Sequence, residues 1–436
     1  MLEDRKSQVK RSGEGSGICC ERESVSGAVS QRACVYCGAR VVLNPITDAC
    51  HIVHGPIGCA SYTWDIRGSL SSGDETYRNS YSTDLREKDI VFGGAIKLEK
   101  AIDELMELKS PRLVFVYATC IVGVIGDDVE AVCRQAQRKW GVRVIPVKAP
   151  GFSGTKTQGY KLACDAIMDY ITPFAGGKKE FGVNILGDYN LAGELWIMKE
   201  YLKEIGVPVM TGITGDSSSQ SLELAPRATL NVVQCAGSAA YLAERMEQEM
   251  GIPYVKASFF GIADTTASLY RIADAVKSSQ ARAKAEVFCK AQKAKVLPLV
   301  EKRKPRFEGK RAAIFVGGGF KAISLIRQFD ELGMKCVLVG TQTGKKDEYE
   351  IMSSLLDEDA VLLDDANPAE LERFLVEKGA DVLVGGVKER PLAYKLGVAF
   401  MDHNHERKHA LAGFEGINNF VEELNLSMNS PVWKHL

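Results

Sequence analysis

The sequence predicts an α/β protein made of three Rossmann-like, doubly wound domains with parallel sheets around a central cleft. Two observations support this fold class. Short runs rich in apolar and β-branched residues recur along the chain and end in turns that contain glycine. Stretches with helical periodicity follow these runs, which is the pattern of repeated βαβ units.

The apolar runs are expected to be buried strands. Their ranges are 112–119, 142–149, 181–190, 228–236, 311–319, 334–342 and 380–388. After the first of them, the segment GDDVEAVCRQAQRKWG places Asp127 and Asp128 at a helix N-terminus, where a carboxylate can accept free backbone N–H groups. Because doubly wound sheets bind ligands at the carboxyl ends of their strands, the strand-end loops are where a site is expected.

The strand and helix units group into blocks that we interpret as domains. The predicted organisation is a flexible, polar tail over 1–32, followed by domains over 33–180, 181–308 and 309–436. The boundary near 308 is the clearest, because a long charged helical stretch ends there in a Pro–Gly break before the next strand.

The composition is that of a globular protein. The 436-residue chain is 45% hydrophobic and 25% charged, with a formal net charge of −1, which does not favour nucleic-acid binding. No apolar run approaches the roughly 20 residues that a membrane-spanning helix needs. The polar start of the chain lacks the apolar core of a secretory signal. We therefore expect a cytoplasmic protein whose 12 cysteines stay reduced and available to metal.

Four cysteines lie in turns or at the end of an apolar run, where an α/β fold binds ligands. They are Cys34, Cys59, Cys120 and Cys235. Their spacing is too wide for a zinc knuckle or a local ferredoxin loop, but loops that converge from several strand ends can hold iron–sulfur clusters through thiolates. Cys37, which forms a C-x-x-C motif with Cys34, and Cys50 are rival ligands that spacing alone does not exclude.

Long ordered motifs resemble the nitrogenase molybdenum–iron protein α-chain family. The motifs are HIVHGPIGCASYTWDIRGS, STDLREKDIVFGG, CIVGVIGDDVEAV, VVQCAGSAAYLAERMEQEMGIPYVKASFFGIADT and GKRAAIFVGGGFKAISLIRQFDELGMK. The resemblance extends from about residue 33 to 420. Within the family, GCASYTWDIRGS and MDHNHERKHALAGFEG are most similar to the scaffold members, on which the iron–molybdenum cofactor is matured.

The resemblance implies two metal sites with different purposes. Cys34, Cys59 and Cys120 match three ligands of a [4Fe–4S] cluster at the contact with a NifN-like β partner, whose own cysteine would supply the fourth ligand. Cys235 matches the cysteine that holds one end of the large cofactor. In a scaffold it would receive an iron–sulfur precursor of that cofactor during insertion of molybdenum and homocitrate. The implied assembly is an α2β2 heterotetramer.

Further pocket residues follow from matching motifs. The cations expected to balance the charge of the precursor and to bind homocitrate are Arg67, Lys321, Lys388 and Arg390. At the far end of the precursor, counting back from GFEG places His403 or, with one residue of slack, Asn404, where catalytic chains have histidine and scaffold members asparagine. Because Glu406, Arg407 and Lys408 separate the histidines of this segment, we predict a solvated, polar face there.

Tyr160 argues against catalysis by this chain. It occupies the place in GFSGTKTQGYKLACDA where catalytic α-chains of the family carry a histidine near the substrate-reducing face. A phenol with a pKa of about 10 delivers protons poorly at neutral pH, whereas an imidazole does so readily. We therefore expect an assembly scaffold without independent catalytic activity beyond residual nitrogenase-like reduction.

The same resemblance defines the expected partners and the alternatives. The partners are a precursor-cluster donor, the nitrogenase reductase (iron protein) and an apo-nitrogenase acceptor. One alternative is a catalytic nitrogenase α-subunit of the molybdenum, vanadium or iron-only type, which His403 would favour. A second is the cofactor scaffold of the vanadium system. The third, a dark-operative tetrapyrrole reductase of the same superfamily, is disfavoured by the block around Cys235.

Overall fold

The computed structural model describes residues 8–14, 17–20, 33–64, 79–404 and 407–434. It contains three separate sheets flanked by helices, and every pairing within them is parallel except that of one edge strand. The predicted fold class is therefore confirmed. We name each sheet and its helices the first, second and third unit in chain order. Within the described ranges, no helix combines the length and apolar character needed to cross a bilayer.

The N-terminal segment is anchored to the third unit. Strand β1 (Val9–Arg11) pairs antiparallel with residues 361–363, with Val9 opposite Leu363. The Ser12 hydroxyl then donates to the carbonyl oxygen of Ser353 at 2.8 Å, and Ile18 is buried in the core. The expectation of a flexible tail over 1–32 is therefore wrong for the described residues 8–14 and 17–20, because backbone pairing and apolar burial hold them in place.

The first unit carries four parallel strands and the helices around them. The strands are β2 (Cys50–His54), β3 (Ser80–Ser82), β4 (Leu113–Ala118) and β5 (Arg143–Lys148), in the order β3-β2-β4-β5. The helices are α1 (Val35–Leu43), α2 (Ile57–Trp64), α3 (Glu87–Phe92), α4 (Ala95–Lys109), α5 (Cys120–Ile125), α6 (Val129–Trp140) and α7 (Lys156–Ile171). Asp128 caps α6 by accepting the Ala131 N–H at 2.9 Å, as the sequence predicts.

The second unit repeats this arrangement. Its strands are β6 (Val183–Leu186), β7 (Val209–Ile213), β8 (Leu230–Val233) and β9 (Tyr254–Lys256), in the order β7-β6-β8-β9. Its helices are α8 (Glu194–Glu204), α9 (Ser219–Leu224), α10 (Ala236–Met250), α11 (Ile262–Ala275) and α12 (Ser279–Arg303).

The third unit has the largest sheet. Its strands are β10 (Arg311–Val316), β11 (Lys335–Thr341), β12 (Val361–Asp364), β13 (Val382–Gly385) and β14 (Ala399–Asp402), and the sheet order is β1-β12-β11-β10-β13-β14. Its helices are α13 (Gly319–Glu331), α14 (Lys346–Leu355), α15 (Pro368–Lys378), α16 (Arg390–Lys395) and α17 (Gly413–Met428).

Short 3-10 helices occur along the whole chain. They cover Ser12–Glu14, Gly151–Ser153, Thr172–Phe174, Ala225–Arg227, Lys304–Arg306 and Pro431–Lys434.

One apolar core joins the second and third units. It includes side chains of α11 and α12 from the second unit and of β10, α13 and α17 from the third. Helix α17 packs against both α11 and α12, so the C-terminal helix covers the second unit as well as its own sheet. This shared core holds the strand ends of the two units beside each other, where a cavity lies between their loops.

Each sheet winds in both directions from one pair of neighbouring strands. These pairs are β2 and β4, β6 and β8, and β10 and β13. Ligands of open α/β sheets bind in the crevice beyond such a switch point. Several of the residues predicted to form sites lie shortly after these strands, among them Cys59, Cys120, Cys235 and Lys321. The fold therefore brings distant parts of the chain together at strand ends.

Candidate functional site

Three of the predicted cysteines lie together at the switch point of the first unit. Cys120 begins α5 directly after β4, and Cys59 lies in α2 after β2. The Gly151 N–H donates to the Cys120 sulfur at 3.0 Å, and a Cβ added to Gly151 would lie 3.2 Å from the Cβ of Cys34. Burial raises the pKa of Cys59, and charge on the Cys120 and Cys34 thiols raises it further, so all three are within electrostatic reach.

The rival cysteines point elsewhere. Cys37 is buried within α1, and Cys50 is buried on β2, where burial raises its pKa to about 11. Cys34 and Cys120, in contrast, are exposed. The structure thus groups Cys34, and neither rival, with Cys120 and Cys59.

The cysteine group is not arranged for a single metal ion. Among the described residues, no three or more His, Cys, Asp or Glu side chains converge closely enough to hold one ion. A [4Fe–4S] cluster makes a different demand, because its cysteine ligands bind separate irons and their sulfur atoms stay apart. The donor set of three thiols, with a backbone N–H already donating to one sulfur, is chemically suited to such a cluster.

Exposed apolar side chains flank the cysteine loops. Ile57 precedes Cys59 on α2, Val124 lies on α5, and Phe152 follows Gly151. Further apolar side chains are exposed at the end of α3 and the start of α4, including Phe92, which is 88% exposed. Large apolar groups next to one another at a surface commonly mark a protein interface.

A cavity lies between the strand ends of the second and third units, facing helix α7. It is lined by loops that follow β6, β8, β10 and β14. Cys235 is in its wall as the N-cap residue of α10. The other lining residues relevant to the site are Tyr160, Asp188, Gly318, Lys321, Glu348, Asn404 and Arg407. Tyr160 is therefore part of the same cavity as Cys235.

The backbone around Cys235 packs closely against a neighbouring strand end. Gly187, after β6, has φ +89°, and a Cβ there would lie 2.9 Å from the Cys235 nitrogen, so only glycine fits. On the facing unit, Gly318 is the N-cap of α13, and a Cβ on it would meet no atom within 4 Å. Two helix N-termini, those of α10 and α13, therefore face the cavity and favour an anionic occupant.

The structure separates the two candidates for the far end of the cavity. Asn404 lines the cavity, but His403 does not, and its ring lies 5.1 Å from that of Phe260 in an edge-on contact. Within the described residues, neither His403 ring nitrogen has a hydrogen-bond partner. Burial lowers the pKa of His403 well below its usual value, and the Lys321 and Arg407 charges lower it further. His403 is thus a neutral core residue.

The predicted cations fall into different environments. Lys321 lines the cavity, and its ammonium donates to the His403 carbonyl oxygen at 3.0 Å. Lys388 is exposed and Arg390 lies 3.7 Å from Asp402, and neither is among the residues that line the cavity. Arg67 lies outside the described residues.

Sequence reasoning missed Arg407 and its partner. We predicted a solvated face around Arg407, but its side chain is only 4% exposed and its Nε lies 2.6 Å from the fully buried Glu194 carboxylate. The prediction is wrong because the partner carboxylate comes from α8, more than 200 residues earlier, and no local pattern links the two. The sequence offered one indication that Arg407 is buried: this charged residue lies between the buried strand β14 and a helix.

Asp188 is a second residue that the sequence did not reveal. Its pKa is raised to about 7: burial is the main cause and the Glu194 carboxylate adds to it, while the Asn190 N–H and the charges of Arg407 and Lys321 oppose the rise. Its Oδ1 accepts the Asn190 N–H at 2.8 Å. The cavity therefore contains a carboxyl group that exchanges protons near neutral pH, beside two cations.

The fold and the site together assign this chain to a class of proteins, namely α/β proteins in which converging strand ends bring thiols together. Residues 34–429 match the model of a family described as nitrogenase component 1 type oxidoreductase, and the chain belongs to this family. The resemblance seen in the motifs is thereby confirmed.

Individual members of the family are similar to this chain over nearly its whole length. The chain is 61% identical to the nitrogenase iron-molybdenum cofactor biosynthesis protein NifE of Clostridium pasteurianum, over 97% of this chain and 93% of that protein. The NifE protein of Methanosarcina barkeri is 48% identical, over 99% and 96%.

Solved structures agree on the fold. A chain described as nitrogenase Cp1 at pH 5 is 29% identical with a TM-score of 0.91, covering 100% of this chain and 96% of that one. A second structure of nitrogenase Cp1, at pH 6.5, gives 28% and 0.92 with the same coverage.

Proposed function

We propose that this chain is a scaffold on which the iron–molybdenum cofactor of nitrogenase is matured. The cavity receives an iron–sulfur precursor as cargo, holds it through the Cys235 thiolate while molybdenum and homocitrate are inserted, and passes it to apo-nitrogenase. The observation that carries the proposal is that a thiol, Cys235, and the amide of Asn404 line the same cavity, whereas His403 is buried and is not among its lining residues. The names of the relatives support the same function.

Reversible holding follows from the chemistry of the two ends. A thiolate binds iron strongly, whereas a neutral amide is a weak ligand for soft iron–sulfur cargo. A cargo anchored at one end dissociates more readily than one held at both. The charges of Lys321 and Arg407 and the N-termini of α10 and α13 offset the negative charge of the cargo without a covalent bond.

The cysteine group of the first unit supports the inference that a partner chain binds there. Cys34, Cys59 and Cys120 would hold a [4Fe–4S] cluster that supplies electron-transfer chemistry when bound. Three thiols leave one ligand position to a partner, and the exposed apolar side chains around them suit contact with another chain. We propose a NifN-like β partner in an α2β2 heterotetramer, served by the nitrogenase reductase and a precursor-cluster donor.

The catalytic alternative loses its one supporting feature. Among the residues considered, His403 favoured a nitrogenase α-subunit, but its ring is buried against Phe260 and does not line the cavity. Tyr160 lines the cavity with a phenol instead of an imidazole. Both observations support holding the cargo over reducing a substrate.

The test is the loss of cargo when the thiol is removed. We expect Cys235→Ala, purified with its partner after loading with precursor, to retain less than about a tenth of the cargo iron of the wild type. The exposed Cys19, which is not among the cavity-lining residues, provides a matched control, and Cys19→Ala should retain wild-type iron. Wild-type cargo iron in Cys235→Ala would refute the proposed anchor.

A further inference from the structure

A second cavity of about 260 Å³ adjoins the one that contains Cys235. The two share Tyr160 and Gly237 in their walls. The second cavity is formed by helices from all three units together with the N-terminal segment. Besides the two shared residues, its lining includes Cys20, Thr157, Lys161, Ser238, Lys345 and Lys346.

Three helices present their N-terminal turns to this cavity. Thr157 belongs to the first turn of α7, Gly237 and Ser238 to that of α10, and Lys346 to that of α14. A helix N-terminus carries a partial positive charge and free N–H groups. Three such turns from three different units add their fields at one place, which favours an anion.

Three lysines add full charges to these partial ones. Lys161, Lys345 and Lys346 line the cavity, and no carboxylate of the described residues forms an ion pair with them. The nearby acids already have other partners. Asp165 accepts from Arg245 at 2.8 Å and from the Tyr241 hydroxyl at 3.0 Å, Asp347 lies 3.7 Å from Lys256, and Glu348 accepts the backbone N–H of Lys345 at 2.8 Å.

A buried hydroxyl provides an independent indication of a ligand. Ser238 is 3% exposed and lines the cavity, yet its hydroxyl has no hydrogen-bond partner within the described part of the chain. Leaving a buried hydroxyl without a hydrogen bond is unfavourable, so such groups are normally paired. A ligand oxygen in the cavity would accept from this hydroxyl.

We propose that this second cavity binds a small polycarboxylate and stores it beside the Cys235 cavity. The volume would hold on the order of nine water molecules, at about 30 Å³ each, and thus accommodates a molecule with several carboxylates. Separate lysines on α7 and at the start of α14 suit carboxylates spread over one carbon chain better than a single compact oxyanion. The proposal rests on the proposed function for its ligand, since homocitrate is a polycarboxylate needed by the cargo.

Isothermal titration calorimetry of the full-length chain with homocitrate tests the site. We expect one bound homocitrate per chain, with affinity that falls as ionic strength rises. K345Q/K346Q should weaken binding at least about tenfold and Lys161→Gln several-fold, each loss being one or two charge-assisted contacts. Ser238→Ala should weaken binding by a smaller factor. The double variant K290Q/K295Q removes two lysines from α12 that do not line the cavity, and it should bind like the wild type.

Three results would overturn the proposal. They are the absence of binding at millimolar homocitrate, unchanged affinity in K345Q/K346Q, and equal affinity for inorganic phosphate, which would indicate a general oxyanion site. Homocitrate binding should survive Cys235→Ala, because the thiol does not line this cavity. Failure of the cargo anchor and failure of the polycarboxylate site are therefore measured separately.

Discussion

Arg407 donates from Nε to the carboxylate of Glu194 over 2.6 Å, and both side chains are almost fully removed from solvent. Glu194 begins α8 of the second unit, and Arg407 follows β14 of the third. A second guanidinium nitrogen donates to the carbonyl oxygens of His403 and Asn404 at 3.0 and 2.9 Å. The pair therefore fixes the loop that brings Asn404 to the Cys235 cavity.

Breaking this buried pair should destabilise the protein. Glu194→Gln leaves the Arg407 charge buried without its counter-charge, and we expect a loss of about 3–5 kcal/mol in the free energy of unfolding. Urea titration followed by circular dichroism measures the change. The exposed pair Lys335–Asp357 provides the control, since Asp357→Asn should cost less than about 1 kcal/mol. Similar losses in both variants would contradict the prediction.

The same pair should respond to acid. Burial raises the pKa of Glu194, but the charge and hydrogen bond of Arg407 outweigh burial and place the pKa below its usual value. The stability that this carboxylate adds is thus present above about pH 4.3, its usual pKa, and is lost as pH falls through the lowered pKa. The difference between wild type and Glu194→Gln should shrink in that range.

Asp188→Asn should stabilise the cargo-free chain at alkaline pH. Burial, reinforced by Glu194, raises the pKa of Asp188 to about 7, so the folded state loses stability between about pH 4 and pH 7 as this group is forced to ionise. Asparagine keeps an oxygen for the Asn190 N–H and carries no charge. Thermal unfolding should show the variant more stable than the wild type at pH 8, by about 1 kcal/mol or more, and similar at pH 4. Equal differences at both pH values would contradict the assignment.

His403→Phe should leave cargo retention unchanged. The ring contacts Phe260 and Phe420, and phenylalanine replaces two buried nitrogens that have no partner among the described residues. Because burial lowers the pKa of His403, the wild type loses stability as pH falls below about 6.5, the usual histidine pKa, and the variant should lose less. Cargo iron and acid unfolding midpoints check both statements. Loss of cargo with intact folding would assign His403 to the site.

Asn404→His should slow release of the cargo. An imidazole in the cavity wall adds a second iron ligand, and a cargo held at two ends leaves more slowly. We expect at least about a tenfold decrease in the rate of cofactor transfer to apo-nitrogenase, with equal loading. His403→Phe, one residue earlier, provides the comparison, and equal transfer rates in the two variants would argue against Asn404 as the far-end residue.

The proposed [4Fe–4S] cluster should depend on Cys34, Cys59 and Cys120 and not on the neighbouring cysteines. Single Cys34→Ala, Cys59→Ala and Cys120→Ala variants should each lose most of the [4Fe–4S] electron paramagnetic signal that we expect of the chain purified with its proposed partner. Cys37→Ala and Cys50→Ala, which remove buried thiols, should keep it. A full signal in any of the first three, or its loss in a folded control, would change the ligand assignment.

The strongly apolar elements of the fold were predictable from the sequence. The runs at 112–119 and 334–342 form β4 and β11 because they are buried on both faces, as parallel strands usually are. Strands such as Ser80–Ser82 and Tyr254–Lys256 were missed. They are short edge strands whose structure comes from pairing with a neighbour, and their own residues give no strong pattern.

The site was predictable only in part, for a related reason. Cysteines in strand-end turns could be recognised from the sequence, because both the residue type and the turn that follows an apolar run are visible there. Arg407 and Asp188 owe their roles to burial by partners such as Glu194, and burial depends on contacts between units. The choice between His403 and Asn404 likewise depends on which way a loop turns after β14, which counting along the chain does not determine.

The antiparallel pairing of β1 with β12 imposes an order on biosynthesis. Val9 is synthesised about 350 residues before its partner Leu363, which corresponds to an interval on the order of tens of seconds at about 5–20 residues per second. Throughout that interval the nascent chain carries an unpaired strand that belongs at the edge of its last sheet. The sheet of the third unit is therefore incomplete until β12 has been synthesised, and only then can the N-terminal segment add its strand to that sheet.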